Sequence, residues 1–356
     1  MIRVLLGEGE TRGTWLDAWQ LTGREPFAHP DYVEAFAGQG EQAMALLWTA
    51  QGDAQVLLPA IRRPVPPDLA DAVGGLAHGA SDLVSPYGYG GPYASGTPNW
   101  RGFYRDLLSW MNGESVVSAF IRAALSPAPP QYRDLRGYQA VLLNDNVTVD
   151  LTRSEDAQWL HYDHKVRKSV KKAMRVGVHV DVQTGFRSLS SFVAVLHETL
   201  RRRGASAAYF FEEGFFQAIA EGLPDGIIVA EALDSNGSVV SSELVLQSSD
   251  SLYSYMGGTR ECALRSGAND LLKHAVINYG REAGVHQYVL GGGHVRGDGI
   301  FRYKRSFDRE GVQPFFGLHL KGNPDAYDAL CVAHQDLRQM EGQSGAANVY
   351  FPAYRG

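Results

Sequence analysis

Along the second half of the chain, hydrophobic and polar positions switch between two periods. Val178–Val182 alternates apolar and polar residues, which predicts a half-buried strand. Ser191–Arg203 repeats at helical spacing, with Phe192, Val195, Leu196 and Thr199 on one face, and Gly214–Leu223 carries Phe215, Phe216 and Ile219. Strands are predicted over Ile227–Leu233, Val239–Gln247 and Ser251–Gly257, with the turn Asp234-Ser235-Asn236-Gly237 marking a hairpin. Ala268–Ala283 reads as a long amphipathic helix with Leu271, Leu272, Ala275, Val276 and Tyr279 inward. Gln287–Leu290 is a short buried strand that Gly291-Gly292-Gly293 ends abruptly. A short helix or turn over Gly299–Phe307, a strand over Gln313–Leu320 and a helix near Tyr327–Met340 follow. The order from residue 178 is β-α-α-β-β-β-α-β-α-β, a mixed α/β layered domain.

The first half repeats a looser version. The apolar run ending Met44–Trp48 and the run Gln55–Ile61 flank Gln51-Gly52-Asp53 and read as a β-hairpin. Asn99–Ala124 reads as helical, with Phe103, Leu107, Leu108 and Met111 at helix spacing. Gln139–Leu143 and Thr148–Leu151 read as two strands. Between these, residues 82–98 interleave Tyr87, Tyr89 and Tyr93 with Gly88, Gly90, Gly91 and Pro92, a composition that excludes a regular helix. Such a stretch either lines a binding cleft or is a surface loop with aromatic anchors. His164–Arg175 is a basic helix stopped by Gly177, with Lys165, Lys168, Lys172 and Arg175 on roughly one face beside Arg167 and Lys171.

A chain of 356 residues exceeds one typical core of about 100–150 residues, so two domains are expected, 1–150 and 151–356. The net charge of −6 argues against a protein that mainly coats nucleic acid. Two local basic clusters, the helix just named and Arg201-Arg202-Arg203, segregate positive charge within that acidic total. Cys262 and Cys331 cannot build a disulfide framework or a zinc site, and a reducing cytoplasm is the default expectation. No run approaches the roughly 18 apolar residues of a spanning helix. No His-x-x-His or carboxylate cluster points to a metal, no Gly-x-Ser-x-Gly nucleophile motif is present, and no cofactor is expected.

The element order is that of the GNAT acyltransferase fold, and two strings narrow it. Gly297-Asp298-Gly299-Ile300-Phe301-Arg302-Tyr303-Lys304-Arg305-Ser306-Phe307 resembles the motif G-(L/I)-x-x-F-K-x-x-F of the Fem-type (FemA/FemX-like) aminoacyltransferase family. Arg167–Val178 resembles that family's basic helix running into a K-x-G-V strand entry. The resemblance runs from about Pro26 to Tyr327 and implies an α/β (α+β mixed sheet) chain of two tandem GNAT-like domains, without a coiled-coil arm. The N-terminal domain would face the acceptor and the C-terminal domain the donor. It further implies amide formation by acyl transfer from aminoacyl-tRNA to an amine of a peptidoglycan precursor, a peptide or a small molecule. Lys304 falls on the lysine that the family uses at the donor and tetrahedral intermediate, and Tyr303 on the neighbouring aromatic.

Acyl transfer from an ester to an amine needs a neutral amine and positive potential at the carbonyl oxygen. Lys304 is the first candidate for that charge. Gly292 and Gly293 can turn backbone N–H groups toward a phosphate or carbonyl. Asp298 either hydrogen-bonds the turn or orients the substrate amine, and Arg302 lies in the same segment. Tyr87, Tyr89, Gly91 and Tyr93 are the acceptor-side candidates, in a loop that lacks the P-R-G-P arginine and the following aspartate of the family's peptidoglycan branch. Lys165, Arg167, Lys168, Lys171, Lys172 and Arg175 either meet tRNA or an acidic acceptor or form a solvated face. The stretch Arg260–Ala268 lacks the spacing of a Q/R-x-x-G-x-G/A pyrophosphate loop, which disfavours coenzyme A. Alternatives are an acyl-CoA-dependent N-acyltransferase and a non-catalytic tRNA- or peptide-binding module.

Overall fold

The computed structural model describes residues 1–50, 54–185, 188–340 and 350–356, so the expected turn at 51–53 lies outside the described residues. The chain forms two compact units: residues 1–143 with 315–356, and residues 144–314. The expected cut after residue 150 falls near the first crossing, but the final segment returns to the first unit instead of staying in the second.

The first unit begins with β1 (Ile2–Leu6), α1 (Arg12–Leu21), α2 (Pro30–Ala35), β2 (Gln42–Thr49) and β3 (Gln55–Pro64). It continues through α3 (Pro67–Val73), β4 (Ser81–Val84), β5 (Tyr93–Ser95), α4 (Trp100–Gly113) and β6 (Val116–Arg122). Strands β2 and β3 pair antiparallel from Gln42↔Arg62 to Thr49↔Gln55, as expected of the hairpin. Phe103, Tyr104, Leu107 and Met111 of α4 join Met44, Leu46, Leu58 and Ala60 in one core cluster. The helix expected through Ala124 stops at Gly113, and Ser115 adopts φ 55°. Val116–Arg122 is then a strand, because a β-branched, nearly fully buried run suits a sheet interior better than a helix face. The two strands expected over 139–151 are one, β7 (Tyr138–Asp150), with Asn144-Asp145-Asn146 carried in extended backbone.

The second unit follows the expected order closely. Helices α5 (Glu155–His161) and α6 (His164–Arg175) precede β8 (His179–Thr184), α7 (Ser190–Arg203) and α8 (Glu213–Gly222). Then come β9 (Ile227–Leu233), β10 (Val239–Gln247), β11 (Ser251–Thr259), α9 (Ala268–Glu282), β12 (Gln287–Gly291) and α10 (Gly299–Arg305). Its sheet runs β7-β12-β11-β10-β9-β8. The β9–β10 turn is closed by Asp234, whose carboxylate accepts from the N–H of Asn236 at 2.9 Å and of Ser238 at 3.0 Å. On α9, Leu272, Val276 and Ile277 are buried, and a Cβ at Gly280 would lie 2.7 Å from Leu151 and Leu252, so glycine lets the helix approach the sheet.

Strands β11 and β12 run parallel and pair only from Ser251↔Gln287 to Tyr253↔Val289. Beyond that β11 continues to Thr259 without its neighbour, and β10 shifts register against it at Leu244/Val245. A bulge of this kind increases local twist, and the parallel pair opens beside it. The chain then leaves through β13 (Val312–Lys321), whose Gly317–Lys321 half pairs with β6, and ends in α11 (Pro324–Met340) and the tail.

Candidate active site

Lys304 lies on α10 near the end of β12, with its side chain half-buried. Its Nζ donates to the Gly292 carbonyl at 2.7 Å. Burial, reinforced by the charge of Lys273, lowers its pKa to about 8, against the opposing pull of Glu243 and Asp298. The neighbouring Tyr303 packs on the core of the second unit, and its hydroxyl accepts from Asn269 Nδ2 at 2.8 Å. Burial raises the Tyr303 phenol well above the usual range, so it stays protonated.

The turn carrying Lys304 is set by Asp298. That carboxylate caps α10, accepting from Phe301 N–H at 2.8 Å, His294 N–H at 2.7 Å and Val295 N–H at 3.2 Å. These donors hold its pKa below the ordinary carboxylate value. Of its two expected roles, the structure shows the turn-forming one. A Cβ on Gly293 would lie 2.1 Å from Asp298 Oδ1, and one on Gly292 2.8 Å from Asn146 Oδ1 and the Asp145 carbonyl, so both positions require glycine. The Gly293 carbonyl accepts from Asn144 Nδ2 at 3.1 Å. Arg302 is turned back onto the Gly297 carbonyl at 2.8 Å. Lys304, Tyr303, Gly292, Gly293, Asp298 and Arg302 are thus one constellation in the second unit.

The tyrosine loop belongs to the first unit and packs on itself. Tyr93 is buried, with its hydroxyl on the Tyr89 carbonyl at 2.5 Å, and Tyr32 holds the Tyr87 carbonyl at 2.8 Å. Tyr89 meets Phe27 edge-on at 5.4 Å and Phe315 at 5.3 Å, and burial raises its pKa. Gly88 and Gly90 would place a Cβ 2.4 Å from Phe27 and 2.2 Å from Ser85, and Gly91 sits at φ 86°. Aromatic anchoring therefore accounts for Tyr93, while Tyr87 keeps 38% of its surface exposed.

The basic helix divides as well. Arg167 caps the end of α5, donating to the carbonyls of Leu160 at 2.9 Å and Tyr162 at 2.6 Å. Lys172 holds the Arg265 carbonyl at 2.6 Å, and Lys171 lies 5.7 Å from the Trp159 ring centre. Lys165, Lys168 and Arg175 are exposed, and Lys165 bears electrostatically on Asp270 at the start of α9. There a Cβ at Gly267 would sit 2.4 Å from the Ser169 carbonyl, and Ser169 Oγ donates to Asp270 at 2.7 Å. A helix start occupied by a neighbouring helix and carrying a carboxylate is poorly suited to a diphosphate.

Sequence reasoning missed the groups that surround Lys304. Lys273 is buried on α9, its Nζ bound to Glu243 of β10 at 2.5 Å and Ser254 of β11 at 2.7 Å. Tyr288 of β12 donates to the same Glu243 oxygen at 2.6 Å. The available signal was a lone lysine inside the apolar run Leu271-Leu272-Lys273 and a lone glutamate inside Ser242-Glu243-Leu244-Val245.

Residues 161–305, the segment holding this constellation, match the family described as acetyltransferase (GNAT) domain. Among solved structures, FemX superposes with a TM-score of 0.61 at 13% identity, covering 88% of this chain and 96% of that one. The chain has the Fem-like tandem GNAT fold. L-PGS from Bacillus licheniformis matches at a TM-score of 0.55 and 13% identity, over 90% of this chain and 93% of the other. The C-terminal domain of an Agrobacterium fabrum protein assigned as a lysylphosphatidylglycerol synthetase matches at 0.54 and 13% identity, over 92% and 96%. No curated protein matches this chain significantly by sequence. The Fem-like architecture bears out the expected fold, and within it residues 161–305 carry the likeness to the acetyltransferase (GNAT) domain. No helix among the described residues is long and apolar enough to cross a membrane.

Proposed function

We propose that the chain transfers an aminoacyl group from aminoacyl-tRNA to an amine acceptor, a peptide or a small molecule. In that reaction the amine nitrogen bonds to the ester carbonyl carbon, the carbon–oxygen bond to the terminal ribose breaks, and the amine's proton ends on the released hydroxyl. The observation that carries the reading is the half-buried Lys304 ammonium, fixed by the Gly292 carbonyl where β11 and β12 part. It supplies preorganised positive charge for a carbonyl oxygen becoming an oxyanion. Tyr303 fixes the turn through Asn269. The occupied start of α9 speaks against coenzyme A, and the exposed cations Lys165, Lys168 and Arg175 offer contacts for tRNA phosphates. Acceptor recognition is assigned to the loop bearing Tyr87 and Tyr89, and the site of action to the cytoplasm, where charged tRNA is available.

Incubation with charged tRNA and a panel of amines should give an amide product that ribonuclease pretreatment abolishes. Product that survives ribonuclease would end this reading. The second reading, an acyl-CoA-dependent N-acyltransferase, has the acetyltransferase description of residues 161–305 in its favour. Tight coenzyme A binding by calorimetry would put it first.

A further inference from the structure

The second unit buries a charged pair to which the reaction above gives no role. Lys273 Nζ donates to Glu243 Oε1 at 2.5 Å, to Ser254 Oγ at 2.7 Å and to Tyr288 Oη at 3.2 Å. Glu243 Oε2 is buried and has no hydrogen-bond partner among the described residues. Apolar side chains of similar volume would fill this space without the desolvation cost of two ions, so packing does not explain the pair.

Its placement does. Asn269 and Lys273 are one helical turn apart on α9 and share a face. Asn269 holds the Tyr303 hydroxyl, and Lys273 holds Glu243. On β12, Tyr288 grips the pair, and Gly292, the residue after the strand, grips Lys304. One helix face and one strand therefore tie the pair to the turn that bears Tyr303 and Lys304.

We propose that Glu243 and Lys273 are positioning residues for Lys304: opposite charges fixed on β10 and α9, tied through Tyr288 and Asn269 to the turn that bears it, that set the field its ammonium feels when the donor ester arrives. The inference rests on the role proposed above for Lys304. The charged groups that act on Lys304 are Lys273 from α9, Glu243 from β10 and Asp298 from its own turn. Tyr288 from β12 stays neutral, and Asp270 acts on the adjacent Tyr303. Lys273 disfavours the proton on Lys304, whereas Glu243 favours it, so removing one or the other has opposite consequences.

The experiment is a titration of Lys304 by NMR after reductive ¹³C-methylation, its signal assigned by its loss in Lys304→Arg, alongside the pH profile of transfer. Glu243→Gln should move the Lys304 titration and the alkaline limb of the profile down by about one pH unit. Lys273→Met should move both up by a similar amount. The double variant Glu243→Leu with Lys273→Met, which removes both charges and keeps an apolar filling, should fall between the singles. Should Glu243→Gln fail to fold, Lys273→Met and the double variant still decide. Shifts in the same direction, or none, would overturn the proposal. The titration needs no donor, so opposite shifts with a failed tRNA assay would uphold the pair and reject the donor assignment alone.

Discussion

Both compact units bury carboxylates beside cations, and Asp82 of the first and Glu243 of the second are treated differently. Asp82 of β4 has no solvent exposure, and both its oxygens are engaged. Oδ1 accepts from Arg63 Nε at 2.8 Å, and Oδ2 accepts from Arg355 Nε at 2.5 Å and the Tyr354 hydroxyl at 3.3 Å. Tyr354 and Arg355 come from the C-terminal tail, so this cluster straps the chain's end to the first unit's sheet. Glu243 of β10 instead has Lys273 and Tyr288 on one oxygen and, among the described residues, no hydrogen-bond partner on the other. A network with every acceptor engaged rigidifies its surroundings, whereas a half-engaged one leaves field to act on a neighbour. Here the neighbour is Lys304. Burial of charge alone does not mark a reactive centre; the unbalanced remainder does.

Asp82→Ala tests one side of this contrast with the largest expected effect. It strands two arginines, and loss of about 3–5 kcal/mol of stability is expected in denaturant melts, with transfer by the folded fraction unchanged. Lys304→Ala should do the reverse: transfer falls about 10²–10³-fold while the melt stays near wild type. A comparable loss of stability would make Lys304 a structural group like Asp82. The same lysine predicts a pH signature. Its folded pKa is lowered to about 8, so the ammonium is present below that pH and is lost above it. The kcat/KM for transfer should therefore decline above about pH 8, and a plateau extending to pH 10 would contradict the role. Gly293→Ala drives a Cβ against Asp298 and should cost about 1–3 kcal/mol, visible as a lowered Tm. The smallest effect separates the halves of the basic helix. Lys168→Ala should reduce the salt slope of tRNA binding by about 1 in a filter-binding series. Arg167→Ala should leave that slope unchanged and lower stability, because its guanidinium already caps α5.

The helices and strands from residue 178 onward were legible because each rests on local periodicity closed by a local stop, such as Gly177 at φ 81° or the Asp234 turn. Lys304 and Tyr303 were legible because the turn that carries them is a contiguous string capped by its own Asp298. The misreading of Val116–Arg122 as helix has a physical cause: a short, mostly apolar run buried on both faces carries no amphipathic period. Lys273 and Glu243 were not legible, because they stand 30 residues apart and each alone reads as an isolated charge.

Periodicity, glycine stops and one motif string determined the layered α/β order of the second half and its leading catalytic candidate. Tertiary structure alone decided that residues 315–356 rejoin the first unit, that Arg167 and Lys172 of the basic helix hold carbonyls, and that Lys304 shares its surroundings with a buried ion pair. The reason is that a backbone period depends on neighbours in sequence. The state of a charge depends instead on which distant segments exclude water from it and what opposite charge they bring.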